Sequence, residues 1–244
     1  MSTMIEGSDG SQWAVHTTQQ LQLGQEMAFS DGRRFRYAKA GAVAVVVSKL
    51  YQAAIPITNH VLRTPTAAAV GDRTLTLALG ATAVTADQYR DGYLVVDLAT
   101  NSGGGLIYAI QSHGAVASSG SFAVPLKSAV QVAIDTTATS VSLIPNNYSG
   151  VILAIATTPT AVICGVAAGP IPIGQFGWIQ IAGICKCLGV TPIAPTGSYC
   201  MVSTTTGAVM AQSTAVSATV PNVGQVVQGV VTASYSTINL TYLE

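Results

Sequence analysis

Phe176-Gly177-Trp178-Ile179-Gln180-Ile181-Ala182-Gly183-Ile184-Cys185-Lys186-Cys187 decides how this chain is read. From Gly177 to Cys187 the side chains follow a period of two, not of 3.6. Trp178 and Gln180 fall on one face of a strand, and Ile179 and Ile181 fall on the other. The same pattern recurs outward in both directions. Strands are expected at Arg33–Tyr37, Val43–Leu50, Thr74–Leu79, Gly92–Asp97, Ile107–Ser112, Val130–Ile134, Val141–Ile144, Gly150–Ala156, Tyr199–Thr204 and Tyr235–Tyr242. These segments are rich in Val, Ile and Thr, whose branched side chains suit a pleated surface. Asp31-Gly32 and Asp91-Gly92 supply turn chemistry between them. The expected fold class is all-β, mainly β, with β-sandwich or β-barrel-like regions. At most one or two short helices are expected, at Thr85–Tyr89 and Leu126–Ala133.

The chain has 244 residues, 49% hydrophobic and only 8% charged, with ten basic and ten acidic side chains. An average soluble protein carries about 25% charged residues. Disorder is excluded, because it needs low hydrophobicity and high charge. The absence of a basic excess argues against a general nucleic-acid or membrane-surface binder. Few charges and no net charge favour association with neighbours. The charges are also unevenly placed: residues 136–244 hold only Lys186 and Glu244. That half must use Ser, Thr, Asn and Gln as its polar surface, either inside an assembly or on a hydroxyl-coated β-structure.

Pro159, Gly165, Gly169, Pro170 and Pro172 cluster where the charges run out. The chain is therefore divided into an N-terminal arm at 1–22, a β-rich domain at 23–160 and a barrel-like domain at 161–244. No repeat of 20 to 50 residues is visible. Met1–Ser11 lacks the basic and apolar blocks of a secretory signal. No apolar run approaches the roughly 18 residues of a membrane span. A soluble protein made in a cytosol is expected.

Catalytic signatures are missing: there is no G-x-S-x-G, H-E-x-x-H, P-loop or G-x-G-x-x-G. Gly103-Gly104-Gly105 leads into a strand-like segment and reads as a loop. Asp87, Asp91 and Asp97 could form a glycosidase pair only if two of them faced each other across a sugar, and a solvated loop is the simpler reading. His60 and His113 read as turn or contact residues. Cys164, Cys185, Cys187 and Cys200 are too few for a disulfide scaffold and lack zinc spacing, so they read as small buried side chains. No enzyme activity, cofactor or metal is expected. Arg34 and Arg36 share one face of a strand while Phe35 and Tyr37 share the other. Such a strand could contact nucleic acid, or could turn its aromatics inward while its arginines meet carboxylates, the reading favoured by the lack of basic excess. Trp178 is either a core residue or an exposed aromatic that stacks on a sugar or anchors a subunit contact.

Three blocks, in order, carry a resemblance. The first is Leu23-Gly24 with Asp31-Gly32-Arg33-Arg34-Phe35-Arg36-Tyr37-Ala38-Lys39-Ala40-Gly41. The second runs from Asp91-Gly92-Tyr93-Leu94-Val95-Val96 through Ile107-Tyr108-Ala109-Ile110-Gln111-Ser112-His113 to Ser142-Leu143-Ile144-Pro145-Asn146-Asn147-Tyr148-Ser149-Gly150-Val151. The third comprises Gly177-Trp178-Ile179-Gln180, Val223-Gly224-Gln225-Val226 and a closing strand ending at Leu243-Glu244. Together they span nearly the whole chain. This order resembles a group of tailed-phage virion proteins described as capsid decoration, cement or minor head proteins.

The resemblance implies a β-rich homotrimer on the capsid exterior that crosslinks neighbouring copies of the major capsid protein. It implies no catalytic residue, cofactor, nucleic acid or membrane partner, and synthesis in a host cytoplasm. Trp13, Arg34, Arg36 and Trp178 are the expected contact residues, with Met1–Trp13 ordering against the shell. The alternative is a glycan-binding phage fibre or spike adhesin, which would set Trp178 or Trp13 on an exposed face beside Asn, Asp or Gln.

Overall fold

The computed structural model describes residues 4–98, 104–136, 139–155, 159–190, 197–212, 220–229, 234–241 and 243. Met1–Thr3, Gly103, Ala156, Tyr242 and Glu244 therefore lie outside the described residues. The protein is all-β. Among the described residues there is no α-helix, only 3-10 turns at Ser11–Trp13 and Thr58–His60. The strands are β1 (Ile5–Glu6), β2 (Glu26–Ala28), β3 (Arg34–Lys39), β4 (Leu50–Gln52), β5 (Thr74–Ala78), β6 (Tyr93–Leu98), β7 (Ile107–Ala109) and β8 (Ser121–Pro125). They continue with β9 (Ser140–Ile144), β10 (Ile152–Leu153), β11 (Ile163–Ala167), β12 (Phe176–Gly189), β13 (Tyr199–Val202), β14 (Val209–Ala211), β15 (Asn222–Gln228) and β16 (Ser234–Leu240).

The chain forms two compact units: residues 1–54 with 147–244, and residues 55–146. The boundary read from the sequence at 160/161 falls inside the first unit. The Pro- and Gly-rich stretch there is not a linker. It holds β11 and the turn that returns the chain antiparallel along β12, with Val166 opposite Gln180 and Ala167 opposite Ile179. The segment read as an arm is seated on its own chain from β1 onward. β1 pairs with β2, Asp9 pairs with Arg33, and Ile5, Ala14 and Leu21 pack on a core of Phe35, Tyr37, Phe176 and Trp178.

β12 organises the first unit. At 14 residues it is more than twice the usual strand length of about 5–6, and it serves two sheets in succession. Its first half lies between β3 and β11. Pairing then runs from β11 to β4 and on to β10, and a bridge from Val151 to Ala40 returns it to the end of β3. The second half pairs with β16 over Gly183–Gly189. That ring continues through β15, β13 and β14 and comes back to β12 at Gly189.

Gly183 is where the strand changes ring. Its φ of +84° is open only to glycine at low cost, and a Cβ there would stand 3.0 Å from Arg33 Cα. Gln180 spans the same bend: its buried Nε2 donates to the carbonyls of Ala182 and Ile184, both at 2.9 Å. Beyond the bend Cys185 and Cys187 turn inward while Ile184 and Lys186 face outward.

In the second unit, β5 pairs with β8, and β6 pairs with β7 and β9. Single bridges complete a ring: Ile110 to Leu126, Arg63 to Val141 and Pro65 to Leu77. One core fills it, led by Leu75, Leu77, Leu94, Tyr108, Phe122 and Leu143. Neither expected helix forms. Thr85–Tyr89 enters a series of tight turns in which Asp87 and Asp91 have φ near +60°, which stops the run of i to i−4 bonds a helix needs. Leu126–Ala133 is irregular, tied through Val130 to Asp72. Val130–Ile134 keeps only a bridge at Ile134, and Val43–Leu50 keeps only one at Val45, opposite Ile171, before β4 begins.

Candidate functional site

One end of the first unit gathers large exposed apolar side chains. β3 ends there, β4 begins there, and β11 turns into β12. The 3-10 turn at Ser11–Trp13 presents Trp13, 61% exposed. Trp13 rests against the turn between β11 and β12: a Cβ on Gly169 would meet Trp13 Cδ1 at 3.2 Å. The loop from β3 to β4 is bonded to that same turn, Val45 N–H to Ile171 O (2.8 Å) and Ser48 N–H to Ala167 O (2.9 Å). It is further held by Val46 N–H donating to the buried Tyr51 hydroxyl (2.6 Å). Val43, Val46 and Val47 on this loop, Ile173 on the turn and Val15 beside Trp13 are all exposed. A pinned backbone carrying outward valines is an apolar surface prepared before contact, which lowers the ordering cost of binding. The valines were missed from sequence because an unbroken apolar run reads as a buried strand. The Ser48 φ of +60° that ends such a strand is not visible in composition.

The other expected contact residues lie elsewhere. Trp178 is only 4% exposed and packs edge-on to Tyr37, with ring centroids 5.2 Å apart. It fills the core of this chain and presents no exposed aromatic face. The first half of its strand is paired with β3 and β11 at its edges, and Leu23, Met27, Phe35 and Tyr37 pack with Trp178 in one core. Arg34 and Arg36 clamp one carboxylate, Glu26, at 2.7 and 3.2 Å. Arg36 also donates to Gly24 O at 2.9 Å. Phe35 and Tyr37, on the other face of β3, are fully buried. Next to this group Arg33 bridges Asp9 and Asp31 and stacks on Phe29 at 4.7 Å. The Arg33 backbone N–H and guanidinium hold the Asp31 carboxyl below its ordinary value.

The carboxylates of the second unit are engaged separately. Asp87 accepts from Ser112 Oγ (2.7 Å) and His113 N–H (2.9 Å) and pairs with Arg90. Burial alone would raise its carboxyl, but these donors and the arginine outweigh that and lower it. Asp91 pairs with Lys127 at 2.7 Å, and Asp97 accepts from Ser142 Oγ at 2.6 Å.

His60 and His113 grip Tyr89 between them. The Thr82 carbonyl can only accept, so His60 Nε2 donates to it (2.8 Å) and Nδ1 receives the Tyr89 hydroxyl (2.6 Å). Likewise His113 donates from Nδ1 to Gly114 O (2.9 Å) and accepts the Tyr89 backbone N–H at Nε2 (3.0 Å). Burial pushes the Tyr89 hydroxyl well up. This is a scaffold for the turn at 85–91. Gly104 and Gly105 form a turn into β7, with Gly105 bonded back to Val96 O.

All four cysteines are free; Cys164, Cys187 and Cys200 are buried and Cys185 partly so. Burial raises the Cys164, Cys185 and Cys187 thiols strongly and moves Cys200 to about 11. Since the thiolate is the nucleophile, the native chain should resist a maleimide at mildly alkaline pH and take up four equivalents only once denatured, read by intact mass. Prompt native labelling would contradict the packing. Among the described residues, no three His, Cys, Asp or Glu side chains are grouped to hold a metal ion. No helix among them is long and apolar enough to cross a membrane.

Compared with known proteins, the chain matches no family model, no curated protein and no solved structure.

Proposed function

We propose that this chain is a non-catalytic virion protein that seats on the exterior of an assembled phage capsid, links neighbouring copies of the major capsid protein, and docks through the Trp13 end of its first unit. The observation that carries the reading is the concentration of Trp13, Val15, Val43, Val46, Val47 and Ile173 on backbone segments bonded to one another. Aromatic and aliphatic anchors on a rigid base are what a stable protein contact uses at its centre. The charge-poor composition supports the same reading, as does the resemblance of the order of its sequence blocks to decoration and cement proteins. Assembly as a homotrimer belongs to the proposal. Three weak contacts on one rigid body act at high effective concentration.

Two measurements test it. Quantitative mass spectrometry of purified particles should find the chain in a fixed lattice ratio to the major shell protein. A handful of copies per particle would move it to a tail or fibre adhesin, and its absence would overturn the proposal. Purified chain should bind shells lacking it, and Trp13→Ala should weaken that binding at least about tenfold, as loss of a central anchor does. Trp13 is mostly exposed, so the variant should melt like the parent. Undiminished binding would remove the Trp13 end from the interface.

A further inference from the structure

The second ring of the first unit has an outer face whose chemistry differs from that of the Trp13 end. Strand register sets side chains from four strands in rows across it. Ile184, Asn239, Gln225 and Tyr199 make one row. Lys186, Thr237 and Gln228 make the next, and Leu188 and Tyr235 the third. Tyr199 and Tyr235 are 49% and 47% exposed, and Ile184, Lys186, Gln225, Gln228 and Asn239 are exposed as well. The inward residues of the same strands, Cys187, Val226, Ile238 and Leu240, fill the core, and among the described residues nothing packs over the outer side chains, which stay exposed.

From this face we infer a binding site for a neutral oligosaccharide. β16 is hydrogen-bonded on both sides, to β12 and β15, so a ligand cannot add itself as a strand and must be met by side chains. Among the described residues those side chains are two tyrosine rings at the ends, with three amides and a hydroxyl between them, the exposed apolar side chains of Ile184 and Val227, and a single charge at Lys186. Phosphate-bearing or strongly acidic ligands would find one cation where they need several. An apolar protein anchor would strip water from the Asn239 and Gln225 amides without returning hydrogen bonds. A sugar chain fits both parts: its C–H faces lie on the tyrosine rings, and its hydroxyls both give to and take from amides. Tyr199 and Tyr235 are offset by four residues along the strands and two strands across. At about 3.3 Å per residue and 4.8 Å per strand that is roughly 16 Å, the span of an oligosaccharide of a few rings.

This inference goes beyond the docking role and does not depend on it. The test uses the full chain with soluble neutral hexasaccharides of glucose, N-acetylglucosamine, mannose and galactose, and a heparin hexasaccharide as charged control. Binding is followed by saturation-transfer NMR and calorimetry. The expected result is submillimolar binding of at least one neutral sugar, insensitive to salt. It should be weakened about tenfold by Tyr199→Ala and by Tyr235→Ala, less by Asn239→Ala, and not at all by Trp13→Ala. Melting temperatures identify any variant that fails to fold. No neutral binding at millimolar sugar overturns the inference, as do binding of heparin alone and binding indifferent to both tyrosine variants. Loss of shell attachment in the tyrosine variants with no sugar binding would also overturn it, assigning the face to a protein partner. Conversely, loss of shell binding in Trp13→Ala with sugar binding intact leaves both readings standing.

Discussion

Gly165→Ala should destabilise the first unit by about 3–5 kcal/mol, at the upper end of what single substitutions do. Gly165 lies in β11 with φ at +131°, a region that L side chains rarely enter. The strand register against β4 shifts there, between Ile163 opposite Gln52 and Gly165 opposite Tyr51. A Cβ at this position would be driven into the Gln180 carbonyl oxygen and would crowd Ile179 Cγ2. Neither can step aside, because Gln180 and Ile179 belong to the first half of β12, which β3 holds from the other side. Relief would mean giving up either the β11 to β12 pairing or the positive φ. Both tryptophans lie in the first unit, Trp178 in its core and Trp13 outside it, so urea unfolding followed by tryptophan emission reads this unit. A variant within about 1 kcal/mol of the parent would mean that β11 is free to relax, contrary to its packing.

Gln180→Glu should cost a similar amount, about 3–5 kcal/mol at neutral pH, and should recover as the pH falls. The native amide gives its two N–H groups to two carbonyls across the Gly183 bend. A glutamate of the same shape would aim a buried carboxylate oxygen at those acceptors. The charged form is disfavoured in the fold, so the folded pKa of the new group rises above the unfolded value of about 4.3. Below the unfolded value both states are protonated and the charge penalty vanishes. It grows as pH rises between the unfolded and folded values and is complete above the folded one. Urea midpoints of parent and variant across this range should therefore converge on the acid side and separate toward neutrality. Gln180→Met removes the donors without adding charge. It should show a smaller, pH-independent loss of about 2 kcal/mol from two unsatisfied carbonyls. A glutamate variant whose midpoint deficit ignores pH would mean that the side chain has turned out to water.

Much of this was legible beforehand, and the reasons can be seen in particular residues. Alternation located β3, β5, β6 and β16 because each buries one face, and a period of two records that directly, whereas β9, β13 and the first half of β12, buried on both faces, were located as apolar, β-branched segments. The pairing of Phe35 and Tyr37 inward with Arg34 and Arg36 outward followed from the same rule. β8 alternates but is short and escaped, and β11 escaped for another reason. β11 is buried at all five positions and contains a glycine, so it read as part of a linker. Val43–Leu50 misled in the opposite way, since a run of valines carries no mark of which of them face water. For the candidate surfaces, Trp13 was visible as a lone aromatic, but its apolar neighbours Val43, Val46 and Val47 on a loop and Ile173 on a turn lie more than a hundred residues apart. The row from Ile184 to Tyr199 draws on four strands whose register no local pattern states.

The sequence by itself determined the β class, the charge-poor character of the C-terminal half, and which side chains of β3 point in. These depend on a residue and its nearest neighbours along the chain. Tertiary structure alone decided that residues 1–54 and 147–244 form one unit and residues 55–146 another. It also decided that β12 bends at Gly183 to serve two rings, and that a bridge such as Ala40 to Val151 closes one of them. Those outcomes rest on contacts between segments far apart in sequence, whose formation must outweigh loop-closure entropy collectively, and no single segment carries the record of its partner.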